Sequence, residues 1–178
     1  PISNAQVCVQ QHPWGQGYGC ANTDANGHYV FTGLPTGIYR ADAQAPGWAK
    51  EIYREVPYWG GNHSLATPIS VTVGADTPGI DFTLDPAGTI SGTVYAADGV
   101  TPLGGVPVDT RPGGYGQCTN ADGTFTMQGL PLDTDIIVVA GGRQWGGCAT
   151  LDRVLQYWNG KNSYDQADPI RLTSGNRH

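Results

Sequence analysis

The sequence predicts an all-β chain made of two successive antiparallel β-sandwiches, and three observations carry that prediction. The helix formers Glu, Lys and Met are nearly absent, with two Glu, two Lys and one Met in 178 residues, whereas Thr, Val, Ile, Tyr and Trp are plentiful. Turn formers abound, with 27 Gly and 13 Pro, but a hydrophobic content of 39% is too high for a disordered segment. Finally, nearly every apolar stretch occurs twice, which divides the chain into two copies of about 100 residues each.

The copies are plain in the text. "TDANGHYVFTGLP" (Thr23 to Pro35) returns as "TNADGTFTMQGLP" (Thr119 to Pro131), an offset of 96. Tyr58 and Trp59 return as Tyr157 and Trp158, and "ATPISVTVG" (Ala66 to Gly74) as "ADPIRLTSG" (Ala167 to Gly175), at offsets of 99 and 101. Offsets that drift by a few residues are small insertions in loops between fixed elements. The predicted domains are residues 1–86 and 87–178.

Each element has a local reason. "DANG" and "NADG" are turn sequences in which Asn or Asp bonds its own backbone and Gly accepts positive φ. The alternating apolar residues after them, Tyr29 and Phe31 or Phe125 and Met127, predict the second arm of a hairpin. "GLP" ends that arm, and "IYRADA" or "IIVVA" begins the next strand. Further strands are predicted at Ile69 to Val73, at Ile170 to Thr173 and at "IDFTL" (Ile80 to Leu84). "WAKEIYREV" could form one helical turn, confined by Pro46 and Pro57.

Phase is the informative feature. "GTISGTVYAADG" (Gly88 to Gly99) occurs once, because Pro1 aligns with Pro102 and His178 with Thr77. The first copy therefore lacks an opening strand and the second a closing one. The single junction "IDFTLDPAGTISGTV" supplies Ile80, Phe82 and Leu84 to close one domain, and Ile90 and Val94 to open the next.

The combination of "GTISGTV", "PL.GV.V", "T.ADG.FTM.GLP" and "ATPISVTVG…GIDFTL" resembles the carboxypeptidase regulatory-like domains, relatives of the collagen-adhesin B-type repeats. That resemblance covers almost the whole chain. It implies a transthyretin-like, Ig-like sandwich in each copy and tandem use as stalks, spacers or accessory modules of secreted proteins. Adhesin relatives often carry a Lys–Asn isopeptide bond, but Lys50 and Lys161 both lie in loop-like regions, against that pattern. The four cysteines would serve the same end. Of three possible connectivities we expect Cys8 with Cys20 and Cys118 with Cys148, each pair within one copy. Bridges imply an extracellular or cell-surface location, the alternative being four free thiols in a cytosolic protein, and the resemblance implies a prokaryotic source.

Several chemistries are disfavoured. A net charge of −6 with scattered Arg offers no basic stripe for nucleic acid, and no apolar run is long enough to insert in a membrane. His63 and Ser64 are adjacent, but no GxSxG elbow accompanies them and the second copy has Asn162 and Ser163 there. His12 and His28 near Cys8 and Cys20 make a poor zinc set, and Asp24 or Asp122 alone a poor calcium loop. Asp165 and Asp168 read as a solvated loop. No catalytic, metal or cofactor site is expected, and the chain is not expected to be an enzyme.

Aromatic residues give the best case for binding, since flat rings beside polar side chains suit sugars. Trp48 with Trp145, and Trp59 with Trp158, recur in both copies and read as packing. Trp14 and Tyr18 have no copies and are the candidates for a surface or glycan contact. Asn62 heads an "NHS" acceptor triplet. The leading expectation is a structural extracellular unit of a head-to-tail filament or surface stalk, continued covalently or by strand exchange. The competing one is a carbohydrate-binding or spacer module of a secreted enzyme.

Overall fold

The computed structural model describes residues 1–12, 16–58, 62–111, 116–142, 148 and 155–173. Thirteen short strands are assigned among them: β1 (Gln6–Gln11), β2 (Gln16–Asn22), β3 (Gly37–Gln44), β4 (Glu51–Ile52), β5 (Val56–Pro57), β6 (Ile69–Val71), β7 (Ala87–Thr93), β8 (Pro107–Arg111), β9 (Gly116–Cys118), β10 (Thr124–Pro131), β11 (Asp135–Ala140), β12 (Gln156–Tyr157) and β13 (Ile170–Arg171). All pairings are antiparallel. The fold is all-β, with only single turns of 3-10 helix between strands. Two compact units form, Pro1–Tyr58 with Asn62–Pro86, and a second that holds everything from Ala87 onward.

In the first unit one sheet runs β2-β1-β3-β4-β5, and β6 pairs with the start of β3. Alternation decides its faces. Val7 and Val9 of β1, and Tyr39, Ala41 and Ala43 of β3, are buried on the same side. They pack on a second layer that supplies Tyr29, Phe31, Leu34, Ile80, Phe82 and Leu84. That second layer contains no ladder at all: residues 28–34 and 80–84 are assigned to no strand.

The second unit repeats the plan with one difference. Its first sheet runs β12-β11-β8-β9, with β13 on β11. Its second layer is a true two-stranded sheet of β10 and β7, with Phe125 opposite Gly92, Met127 opposite Ile90 and Leu130 opposite Gly88. Ile90, Val108, Phe125, Met127, Leu130, Ile136 and Val138 make the core, and Val94 packs against it.

Three sequence expectations need correction. The predicted hairpins about "DANG" and "NADG" are corners instead. Two main-chain bonds close each turn, Asp24 N–H to the His28 carbonyl with Gly27 N–H to the Asp24 carbonyl, and Asn120 N–H to the Thr124 carbonyl with Gly123 N–H to the Asn120 carbonyl. The arms then part, β9 to β8 in one sheet and β10 to β7 in the other. Second, "IDFTL" keeps strand alternation, with Leu84 buried and Thr83 exposed, but makes no ladder with any of the described residues. Third, "WAKEIYREV" is not helical. It is the tight hairpin of β4 and β5, turning through Arg54 and Glu55 at φ of 70° and 57°.

Candidate functional site

The corner turns share their main-chain closure but use carboxylates at different positions, the first residue of the turn in one unit and the third in the other. Asp24 Oδ1 accepts the main-chain N–H groups of Asn26 and His28, and Asp122 Oδ1 accepts the N–H and hydroxyl of Thr124. These bonds stabilise the ionised carboxylates. The His28 N–H is the chief reason Asp24 lies below the usual range, and the Thr124 hydroxyl is the chief reason for Asp122. Asp98 is held at about 2 in the same way, first by the Thr101 hydroxyl. The aspartates are thus occupied by their own turns.

One residue earlier sits a device that sequence reading passed over. The Thr23 hydroxyl donates to the Ile2 carbonyl at 2.7 Å and accepts the Ala5 N–H at 2.9 Å. Thr119 does the same in the second unit, donating to the Leu103 carbonyl at 2.6 Å and accepting the Val106 N–H at 3.0 Å. The signal was present, because this Thr opens both copies of the quoted motif.

Just beyond the corner, in the first unit, lies an open groove of about 970 Å³. One wall is residues 27–34 and the other residues 71–81, and the floor is Val9, Tyr39 and Ile69. Those floor residues are the inward side chains of the opposing sheet. Among the described residues, no main-chain hydrogen bond reaches Tyr29 through Leu34, or Asp81 through Leu84. Edge groups of this kind are normally paired, covered or hydrated.

Tyrosine hydroxyls hold the two walls where a ladder does not. Tyr39 donates to the Pro35 carbonyl at 3.0 Å and Tyr53 to the Gly79 carbonyl at 3.2 Å. Tyr29 reaches across to the Ile80 carbonyl. Burial, then the charge of Asp81, pushes the Tyr29 hydroxyl up to about 12, so it remains a donor at any physiological pH. Phe82 stacks edgewise on Tyr53, at 5.9 Å between ring centroids.

The remaining candidates fall as follows. Cys8 bonds Cys20 as directly opposed residues of β1 and β2, and Cys118 bonds Cys148, leaving no free cysteine. Two disulfides fit an extracellular or oxidising environment. Among the described residues no helix is long and apolar enough to cross a membrane. Trp14, Trp59 and Trp145 lie outside the described residues, as do the side chains of Tyr18, Asn62 and His63. Ser64 is exposed in the 3-10 turn Asn62–Leu65. Trp48 packs on the first core, whereas Trp158 is 51% exposed, so the expectation of packing is corrected for Trp158 as far as a core position goes. Lys50 is ion-paired with Asp42 at 2.9 Å and lies over the Tyr58 ring. No group of three or more His, Cys, Asp or Glu gathers to hold a metal among the described residues.

Residues 1–85 match the family model of the carboxypeptidase regulatory-like domain. The match spans the first unit, and with it the whole of the groove. Such a domain is a β-sandwich module, compatible with a structural or spacer role. No curated protein and no solved structure matches the chain.

Proposed function

We propose that this chain is a non-catalytic structural unit of an extracellular rod, a surface stalk or head-to-tail filament in which regulatory-like sandwich domains follow one another in tandem. The second unit is the other copy of that domain, and each sandwich is completed by a strand at its junction with a neighbour. Adhesion or surface assembly is the role such a rod serves.

The open second layer of the first unit is the observation that carries this reading. Its core, corner and disulfide are complete, but two alternating segments offer unpaired backbone to a partner, a ready template for strand addition. Heterologous contacts that do not close make fibres. Two bridges that resist unfolding, and turns whose carboxylates accept hydrogen bonds from their own main chain and hydroxyls, suit a structural element more than a reaction centre. The test is electron microscopy of native material. Rods or fibres with an axial repeat are expected, and isolated single particles would contradict the filament form.

A second reading, a glycan-binding or spacer module, is favoured by the surface around Trp158. Trp158 and Tyr164 are half-exposed, and Asn159 bonds Asp168 beside them. A glycan array that is silent for the chain, and unaltered by Trp158→Ala, would remove it.

A further inference from the structure

The second unit contains a strand in the place where the first unit has its groove. Tyr29, Phe31 and Leu34 correspond in sequence to Phe125, Met127 and Leu130, the three core residues of β10 that stand opposite Gly92, Ile90 and Gly88 of β7. The fit between β7 and those residues is specific. A Cβ on Gly92 would lie 3.0 Å from the Phe125 ring, so a larger residue there would have to push the ring aside. Ile90 is buried against Met127. After Val94 the chain turns over Asp98 and Gly99, where Asp98 accepts the N–H groups of Val100 and Thr101, and returns to Pro102.

Pro102 marks the way in. It sits on Gly123, at φ 78°, with its Cβ 2.8 Å from the position a Gly123 Cβ would take. In the first unit Pro1 sits on Gly27, also at φ 78°, with its Cβ 3.2 Å from the corresponding position. Chain attached ahead of Pro1 thus meets the groove from the side by which β7 leaves its own seat. One tyrosine side chain with one hydrogen bond, Tyr29 to the Ile80 carbonyl, is what bridges the walls in place of a strand.

We propose that the groove between residues 27–34 and 71–81 seats a single extended strand of β7 chemistry, covalently attached ahead of Pro1. The strand runs antiparallel to His28–Leu34. It places glycine against Tyr29 and Leu34 and a branched aliphatic residue against Phe31, and leaves small polar residues facing outward. This rests on the reading of the chain as a tandem structural unit, and deepens it by naming the strand and the route by which it arrives.

The experiment joins a second copy of residues 87–101 to Pro1 of the full chain, so that Thr101 of the graft precedes Pro1 as it precedes Pro102. Amide exchange of Tyr29 through Leu34 is expected to slow on the order of 100-fold on grafting. Placing Ile90→Asp or Gly92→Val in the grafted copy alone is expected to abolish that protection, while the native β7 and the second unit stay intact as the folding control. Unchanged exchange on grafting, or equal protection by the Asp graft, overturns the proposal. If the ungrafted chain instead forms concentration-dependent dimers in which the same amides are protected, a second copy is the occupant and the covalent route is wrong. None of these outcomes alters what microscopy of native material shows, so failure of the strand assignment and failure of the rod reading are separable.

Discussion

The two disulfides should differ in worth, and the difference can be worked from where they close the chain. Cys8 and Cys20 are 12 residues apart and Cys118 and Cys148 are 30 apart. Cross-linking removes loop entropy from the unfolded chain, which gives about 2.8 kcal/mol for the shorter loop and about 3.6 kcal/mol for the longer. The environments widen the gap. Cys148 is buried, so truncating it also removes packing, whereas Cys20 is exposed. We compare Cys8→Ala with Cys20→Ala against Cys118→Ala with Cys148→Ala, by urea unfolding followed through amide signals assigned to each unit. The first pair should cost its unit about 3 kcal/mol and the second about 4 to 5 kcal/mol, each lowering that unit's Tm by more than about 10 °C. A cost below about 1 kcal/mol for either pair would refute the loop-entropy reasoning. So would a larger loss from the first pair than from the second.

Leu130 and Leu34 are sequence equivalents, but Leu130 is fully buried while Leu34 lines the groove. Leu130→Ala should cost about 3 kcal/mol and Leu34→Ala only about 1 kcal/mol, read by the same unfolding assay. Glu51 is buried with Oε2 unpartnered, and burial, then the charges of Glu55 and Asp85, pushes it up to about 7. An acid whose folded value is raised binds its proton more tightly when folded, so its stabilising contribution is full below about 4.5 and is lost as pH rises toward about 7. Glu51→Gln should flatten that slope and raise the Tm at pH 8 by about 5 °C, with little change at pH 4.5. Thr119→Val keeps shape but leaves the Val106 N–H and Leu103 carbonyl without their partner. It should cost about 2 kcal/mol by denaturation.

Much of the fold was legible because its signals are local. Alternation picks out β3 and β11, and Asn, Asp and Gly mark the corners at residues 24–27 and 120–123. What stayed hidden was which sheet each arm joins. "DANG" reads as a hairpin because its turn chemistry is the same whether the following strand folds back on its neighbour or crosses to the other layer, and only tertiary pairing separates the cases. Strand alternation at Tyr29 to Leu34 and at Ile80 to Leu84 was equally clear, but alternation records which face is buried, not whether a ladder exists. The groove itself has no sequence signature, and repeat phase gives only the expectation of an absent strand. Its tyrosine ties, Tyr29 to Ile80, Tyr39 to Pro35 and Tyr53 to Gly79, join positions 51, 4 and 26 residues apart and have no sequence pattern to announce them.

The most direct test of the account compares amide exchange in the two equivalent segments of the chain as it stands. Thr124 through Leu130 have β7 beside them, and His28 through Leu34 face the groove. The account predicts protection at Phe125 and Met127 at least about 100-fold greater than at Tyr29 and Phe31. Equal protection in dilute solution would mean that the first unit closes without a borrowed strand, and would contradict the account.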